Sequence, residues 1–463
     1  MFRASSLEFR IYIFMASKKI FVCNNCGNES SKWLGLCPDC QSWNTFQEMV
    51  LPDEPKKGFK SRASVVTPKN LQKIGDIKSS SLERISTTIP EFDRVLGGKE
   101  KFQGIVPGEV ILLSGDPGIG KSTIMLQIAL KIAGSGKKVL YVSGEESESQ
   151  IKIRAERIAD VKTLSKQDLY VLSSTDIDQA VDAAESKKID LLIVDSIQTV
   201  SSNDATGFPG SLPQLRYSTL KLVNFAKSSN IPVFFIGHVT KEGTIAGPQL
   251  LAHMVDCVLY LEGETLTGTR ILRSLKNRFG DTSEVGIFIM EEKGLSEITN
   301  VKDFFLGTNE KSVPGSCITV VMEGSRPLLV EVQALTVPSQ LAFSRRVAQG
   351  IPDRRLELLL AVLTRHGTIN TDKYDVFVNV VGGLKISETA SDLAVCLAIA
   401  SSIKGTILSS TVAIAEVGLL GETKGVINLE KRTKEAVKFG YKNIITYKTA
   451  PYLKQALRFI ANN

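Results

Sequence analysis

Short apolar runs alternate with amphipathic segments through the middle of the chain. Between the runs lie segments such as TIMLQIALKIA, in which apolar residues recur at helical spacing. Five runs have the length and composition of buried strands: VILLS, VLYVS, LLIV, VFFI and CVLYLEG. Buried strands that alternate with helices predict a doubly wound, mostly parallel α/β sheet, which binds ligands at the carboxyl edge of its strands.

The pattern changes after about residue 307. Two strand-like segments, EGSRPLLVEVQALT and DKYDVFVNVVGGLKI, accompany two helix-like ones, SDLAVCLAIASSI and KRTKEAVKFG, which predicts an α+β domain. The segment after residue 50 is polar, contains Pro and Ser and has little periodicity, as is typical of a linker. We therefore divide the chain into a tail, a small cysteine-containing domain, a basic linker, a central α/β domain and a C-terminal domain, at residues 1–17, 18–50, 51–81, 82–306 and 307–463.

We do not expect the first residues to form a signal peptide. Glu8 and Arg10 interrupt the apolar run, IYIFM is too short for the apolar core of a signal, and no small-residue cleavage site follows. We interpret this stretch as a disordered tail or a misannotated start, with translation beginning at Met15. No run of 18 apolar residues predicts a spanning helix, so we expect a cytoplasmic protein with no membrane partner.

Composition and charge narrow the function classes only slightly. The 463 residues are 43% hydrophobic and 23% charged, which is typical of two or three globular domains. The formal net charge of +7 permits a nucleic-acid partner without requiring one. Residues 1–80 contain twelve Lys/Arg and seven Asp/Glu, so most of the positive excess lies near the N-terminus.

Four of the seven cysteines form two CxxC pairs with ten residues between them. In an intracellular chain this spacing predicts a tetrahedral zinc site, with a redox dithiol as the alternative. The predicted ligands are Cys23, Cys26, Cys37 and Cys40. Burial of Trp33 and Trp43 would supply the small core of such a domain. The other three cysteines lie singly in apolar runs, where we expect small core residues: Cys257, Cys317 and Cys396.

A phosphate-binding loop follows the first strand of the central domain. GDPGIGKS fits GxxxxGK[ST] and lies between an apolar strand and a helix, the context that supports this motif. Lys121 would reach the β- and γ-phosphates of ATP, and Ser122 would hold Mg²⁺. Asp195, at the end of the LLIV strand, is the expected second Mg²⁺ ligand. The predicted nucleotide-binding residues, with Asp195, are Gly115, Asp116, Pro117, Gly118, Ile119, Gly120, Lys121, Ser122 and Thr123.

Hydrolysis also needs a group that orients the attacking water. VLYVSGEES offers Glu145 and Glu146 just beyond a strand, and Glu146 is equally typical of a solvated acidic loop. His238 ends the IPVFFIG strand at the same predicted edge, where a polar residue could sense the γ-phosphate.

Taken together, the motifs resemble the RadA (Sms) family of bacterial RecA-like DNA repair and recombination ATPases. The resemblance runs from about residue 18 to the end, and its most diagnostic motif is LKNRFG. It implies ATP-driven branch migration by a hexameric, DnaB-like ring around DNA. It also implies that Glu145 is catalytic, that His238 is the γ-phosphate sensor, and that Lys276 and Arg278 reach the nucleotide of a neighbouring subunit. The signature residues are Lys276, Asn277, Arg278, Phe279 and Gly280.

The same resemblance suggests where DNA binds. Residues 201–214 and 240–249 would line the channel of the ring, with Lys241 and Gln249 as candidate contacts to single-stranded or branched DNA. The zinc domain and its basic linker would engage DNA, RecA or a single-strand-binding protein.

The C-terminal domain resembles the proteolytic domain of Lon proteases, which raises an ATP-dependent serine protease as the alternative function. Such a protease needs a Ser–Lys dyad. Ser391 matches the serine, but Glu430 stands at the lysine position and Lys431 is one residue away. We therefore interpret the domain as a scaffold that stabilises the ring and offers basic surface to DNA.

Overall fold

The computed structural model describes most of the chain. The described residues are 19–23, 29–38, 41–50, 83–99, 102–165, 167–237, 248–263, 268–298, 306, 313–340 and 343–460. Within these ranges, none of the helices has both the length and the apolar character that crossing a membrane requires.

The N-terminal domain is a small antiparallel sheet. Its strands are β1 (Lys19–Cys23), β2 (Glu29–Ser30) and β3 (Phe46–Val50), in the order β2-β1-β3. Cys23, Cys37 and Phe46 are buried together and pack against Phe21. The predicted burial of the two tryptophans is wrong, since 53% of Trp33 and 72% of Trp43 are exposed. A domain this small has too little volume to cover two indole rings.

The central domain is built on one large sheet, in which the described residues form nine strands. Their order is β12-β11-β10-β9-β4-β8-β7-β5-β6. The six strands from β9 to β6 are parallel to one another, and β10, β11 and β12 extend the sheet antiparallel. The bounds are β4 (Val110–Gly115), β5 (Val139–Ser143), β6 (Leu169–Ser173), β7 (Leu191–Asp195), β8 (Val233–Ile236), β9 (Cys257–Gly263), β10 (Thr269–Asn277), β11 (Val285–Glu291) and β12 (Gly294–Glu297).

Helices pack on both faces of this sheet, as the prediction of a doubly wound fold requires. One core lies under α2 (Lys121–Gly134), and a second lies under α5 (Ile177–Lys187) and α6 (Leu212–Ser229) on the opposite face, because successive strand residues point to alternate sides. The helices are α1 (Pro90–Leu96), α2 (Lys121–Gly134), α3 (Glu148–Ile158), α4 (Val161–Leu164), α5 (Ile177–Lys187), α6 (Leu212–Ser229) and α7 (Pro248–Met254).

The C-terminal region is a second α/β layer structure. Among the described residues, its main sheet has six strands in the order β15-β16-β14-β13-β17-β20, and β18 and β19 form a separate pair. The strands are β13 (Ser316–Glu323), β14 (Arg326–Pro338), β15 (Arg346–Gln349), β16 (Tyr374–Val380), β17 (Thr411–Ile414), β18 (Glu416–Val417), β19 (Thr423–Lys424) and β20 (Asn443–Thr446). The helices are α8 (Asp353–His366), α9 (Asp392–Lys404), α10 (Leu429–Lys438) and α11 (Leu453–Ala456).

The central and C-terminal regions share one hydrophobic core. Ile271, Val285 and Ile287 of the large sheet belong to the same buried cluster as Leu328 and Val330 of β14.

The isolated cysteines also behave as predicted, since Cys257, Cys317 and Cys396 are buried and burial raises the pKa of each thiol.

Candidate functional site

The phosphate-binding loop lies between β4 and α2, at the carboxyl edge of the large sheet. Gly115 begins the loop at φ 149°, and a Cβ there would lie 2.2 Å from the carbonyl oxygen of Leu261. Gly120 precedes the helix at φ 114°. Glycine at these positions lets the loop turn and lets its backbone pass close to the Leu261 carbonyl. The first N–H groups of α2 then face the loop, where they can bind phosphate.

Lys121 is folded back onto the loop. Only 4% of the residue is exposed, and its Nζ donates to the carbonyl oxygens of Gly115 and Asp116, at 2.9 Å in each case. Burial lowers the pKa of this ammonium, and the nearby carboxylates of Asp195, Asp116 and Glu145 partly oppose that effect. Bound phosphate oxygens would replace the two carbonyls as acceptors.

Asp195 and Glu145 lie together at the same edge. Ser143 and Asp195 are opposite one another in β5 and β7, so the residues that follow both strands meet there. Tyr141 donates its hydroxyl proton to Asp195 Oδ2 at 2.6 Å, which fixes the carboxylate. Ser196 Oγ donates to Glu145 Oε1 at 2.9 Å. The arrangement can hold a metal ion and orient a water beside the phosphate loop.

The structure separates the two glutamates that the sequence offered. Glu146 forms an ion pair with Arg154, with 2.6 Å between Oε2 and Nη2. Glu145 instead points towards Ser196 and acts electrostatically on Lys121. The geometry thus favours Glu145 as the group that orients water.

One supporting residue of the loop was not predicted. Arg270 is 95% buried in β10, and its Nε donates to the carbonyl oxygen of Ile119 at 3.0 Å. Burial lowers the pKa of this guanidinium. An arginine followed by the apolar pair Ile271 and Leu272 was a signal in the sequence, but its partner lies 151 residues away and could not be inferred.

The KNRFG segment lies at the amino ends of the parallel strands, which form the edge opposite the phosphate-binding loop. Lys276 is opposite Val258 in β9, and Val258 is opposite Leu112 near the beginning of β4. Asn277 donates to the carbonyl oxygen of Leu96 at 3.1 Å and so caps the end of α1. A Cβ on Gly280 would lie 2.7 Å from that same oxygen, which explains why glycine follows.

The two cations of the segment have different partners. The ammonium of Lys276 donates to the carbonyl oxygens of Ala252 and Val255, at 2.6 and 2.8 Å, at the end of α7. Arg278 is 58% exposed in its side chain and lies 3.3 Å from a carboxylate oxygen of Asp256. Lys276 is therefore engaged within its own chain, whereas Arg278 can turn outward at little cost.

Beneath Arg278 lies a buried acidic pair that sequence reasoning missed. Asp256 accepts from Lys227 at 2.5 Å and from the backbone N–H of Val110 at 3.1 Å. Glu109 is fully buried, and burial raises its pKa to about 7. Asp256 anchors the turn that carries Arg278, because Arg278 N donates to the carbonyl oxygen of Asp256 at 3.1 Å and the Arg278 guanidinium pairs with its carboxylate.

Several predicted residues lie outside the described residues or have undescribed side chains. They are Cys26, Cys40, His238, Lys241 and Gln249. The two described cysteines of the predicted zinc site, Cys23 and Cys37, do lie in one buried cluster, as ligands of a single ion would.

The Ser–Lys pair of the alternative function is not assembled. Ser391 is only 3% exposed, and Glu430 and Lys431 lie towards solvent on α10. The buried cation of this region is Arg432, which binds Glu388 through two contacts of 2.5 and 2.7 Å. An arginine so paired cannot accept the proton of a serine.

Two family models match the chain. The KaiC ATPase model matches residues 85–296, and the rubredoxin metal-binding domain model, a zinc ribbon, matches residues 21–48. A relative in Bacillus subtilis (strain 168), "DNA repair protein RadA", is 45% identical over 431 residues, which are 93% of this chain and 92% of that protein. The chain belongs to the RadA family. A second member, from Halalkalibacterium halodurans, is 44% identical over 436 residues, 93% of each chain.

Membership of the RadA family agrees with the site. The ATPase model covers the phosphate loop, Glu145, Asp195 and the KNRFG segment, and the zinc-ribbon model covers all four predicted cysteine ligands. This RadA-family chain is thus a P-loop ATPase of DNA repair with an N-terminal zinc ribbon. Among solved structures, one ATPase domain aligns with a TM-score of 0.41 at 12% identity, covering 47% of this chain and 94% of that one.

Proposed function

We propose that the protein is a DNA-dependent ATPase that works as a hexameric motor on single-stranded DNA and promotes branch migration of recombination intermediates. We expect it to act in the cytoplasm, on single-stranded and branched DNA. The observation that carries the proposal is that the nucleotide site and the KNRFG cations lie at opposite edges of one sheet. Such a chain completes its neighbour's site, not its own.

The strand register gives the scale of this separation. Val258, opposite Lys276, is paired with Leu112, three residues before Gly115. Arg278 lies two residues further from the phosphate loop, so its Cα is roughly 16 Å from that edge at about 3.3 Å per residue. That distance exceeds the reach of an arginine side chain. In a closed head-to-tail ring, however, the edge of one chain faces the site of the next.

The cofactors follow from the same residues. Lys121 and the N–H groups of α2 would bind the phosphates of ATP, and Ser122 and Asp195 would hold Mg²⁺. Glu145 would orient the water that attacks the γ-phosphate. Zn²⁺ would be held by the four cysteines of the ribbon, of which Cys23 and Cys37 already lie in one cluster.

A surface for DNA is supported by the loop that follows β7. Gln214 fixes the base of this loop, since its Nε2 donates to the carbonyl oxygens of Ala205 and Ser202 at 2.7 and 3.0 Å. Phe208, at the tip, is 86% exposed. An exposed aromatic on a fixed loop is suited to contact unpaired bases.

RecA or a single-strand-binding protein is a candidate partner for the ribbon.

The first test is the rate of ATP hydrolysis in Mg²⁺ with and without single-stranded DNA. We expect marked stimulation by DNA and its loss in Lys121→Ala. Equal rates with and without DNA would contradict DNA-coupled hydrolysis.

A mixing experiment tests whether Arg278 acts between subunits. Lys121→Ala and Arg278→Ala chains should each be inactive alone, because one lacks its phosphate-binding lysine and the other lacks the cation for its neighbour. Mixed rings should regain part of the DNA-stimulated rate, since a Lys121→Ala chain still offers Arg278 to an intact site. A mixture as inactive as its components would refute this role, and branch-migration assays would follow only if activity returns.

A further inference from the structure

The exposed face of the zinc ribbon carries two neighbouring tryptophans. Trp33 and Trp43 are 53% and 72% exposed, and they are the only tryptophans in the 463 residues. Both rings flank Gly35. A Cβ built on that residue would lie 3.7 Å from two carbons of the Trp33 ring and 4.0 Å from Cζ3 of Trp43. Two large aromatic rings thus share one side of a domain that is too small to bury either.

A side-chain hydrogen bond holds the Trp33 ring, and backbone hydrogen bonds hold the chain that carries Trp43. The indole Nε1 of Trp33 donates to the carbonyl oxygen of Phe46 at 3.2 Å, which leaves the ring fixed while about half of it faces outward. The backbone around Trp43 pairs with residues 35–36, because Asn44 N donates to Gly35 O at 2.8 Å and Leu36 forms a β-bridge with Trp43. Rings held in this way lose little conformational freedom when a ligand stacks on them.

Positive charge accompanies the two rings. Lys32, beside Trp33, is exposed. Residues 51–82, which follow the last strand of the ribbon, contain seven Lys/Arg and three Asp/Glu. Exposed aromatic rings beside a cationic side chain are the combination that binds single-stranded nucleic acid, through base stacking and phosphate attraction. Protein-docking surfaces also use tryptophan, but they do not require a cation beside it.

We infer that Trp33 and Trp43 form a stacking platform for the unpaired bases of single-stranded DNA. Lys32, next to Trp33 in the chain, attracts the phosphates. The inference rests on the proposed function, because it supplies the DNA on which the ATPase would act with a second point of attachment outside the ring. It predicts a contact that depends on bases as well as on charge.

The full-length protein supplies its own reporter, since all tryptophan emission comes from these two residues. Titration with single-stranded oligothymidylate should quench this emission saturably, because stacked bases quench indole fluorescence. An abasic oligonucleotide of equal length and charge is the matched control and should quench little. Equal quenching by both would overturn stacking and leave only phosphate attraction. No quenching by either would overturn the platform.

Variants assign the contact to each ring. Trp33→Ala and Trp43→Ala each leave one reporter, and each should weaken the quenching titration by roughly 5- to 100-fold, the range for one lost stacking contact. Lys32→Ala cannot disturb the core, and it should weaken binding at low salt and reduce the salt slope by about one. An unchanged midpoint in all three variants would also overturn the proposal. Unchanged zinc content shows that a variant ribbon is still folded.

The ATPase rate, measured in the same solutions, separates this inference from the proposed function. DNA-stimulated hydrolysis without quenching would refute the platform alone, and the exposed rings would then fit a protein partner. If oligothymidylate neither quenches nor stimulates, both proposals fail.

Discussion

Replacing Glu109 by glutamine should remove a pH-dependent loss of stability from the protein. Glu109 is fully buried just before β4, where Oε2 accepts from the backbone N–H of Val106 at 2.9 Å and Oε1 has no hydrogen-bond partner among the described residues. Burial raises its pKa from 4.5 to about 7. Arg84 and Lys227 oppose this rise, and Asp256 adds to it.

The direction of the pH dependence follows from how tightly the folded and unfolded chains bind the proton of Glu109. The folded chain holds this proton more tightly than the unfolded chain does, so folding is least penalised below about pH 4.5 and the free energy of unfolding falls as pH rises to about 7. At about 1.4 kcal/mol per pKa unit, the full loss is on the order of 3 kcal/mol. Glutamine imitates the protonated acid and can still accept from Val106 N, so the variant should not suffer this loss.

The assay is urea unfolding followed by far-ultraviolet circular dichroism at about pH 5 and about pH 8. Circular dichroism is preferred because both tryptophans lie in the ribbon and do not report on the large sheet. Glu109→Gln should be more stable than the parent at the higher pH and nearly equal to it at the lower. Glu83→Gln, at an exposed position, should follow the parent at both. Identical pH dependence in Glu109→Gln and the parent would refute the reasoning.

Three further predictions concern the sites. Tyr141→Phe deletes the hydrogen bond to Asp195, so the Mg²⁺ concentration for half-maximal hydrolysis should rise several-fold, and an unchanged Mg²⁺ curve would contradict this. Lys276→Met should speed hydrogen exchange at the end of α7, because three carbonyl oxygens lose their donor, whereas Arg278→Ala should not; equal exchange in both variants would argue against the clamp. Ser391→Ala should leave ATP hydrolysis unchanged, and any peptidase activity that this substitution abolishes would revive the protease alternative.

The pattern of short, mostly apolar runs predicted five of the six parallel strands of the large sheet. It did not predict β6, which lies at the end of the strand order and whose residues are only partly buried. It did not predict the antiparallel extension, since β10 carries Arg270, Arg273 and Lys276 among its apolar residues. Arg270 and Arg273 bind groups distant in sequence, the Ile119 carbonyl and Glu323. These partners cannot be predicted from the local pattern of β10.

The site was predictable to a similar degree. The phosphate loop and Asp195 are local motifs in a recognisable strand context, so the position of both at the ends of β4 and β7 could be predicted from local pattern. The resemblance already favoured Glu145 over Glu146, and the fold adds a physical reason, because Arg154 pairs with Glu146 and Ser196 donates to Glu145. The error on Trp33 and Trp43 arose from applying the burial rule for large domains to one with almost no interior.

The shared core of the central and C-terminal regions determines where the molecule can bend. Ile271 and Val285 are packed with Leu328, and Arg326 reaches across to Glu91 at 2.7 Å, so no flexible joint divides the described parts of the two regions. Any movement of the central region driven by nucleotide would therefore move the C-terminal region with it as one rigid body. In the proposed ring, strain from hydrolysis would be released at the boundaries between chains. A cut placed between the two regions would expose apolar surface instead of yielding two independent parts.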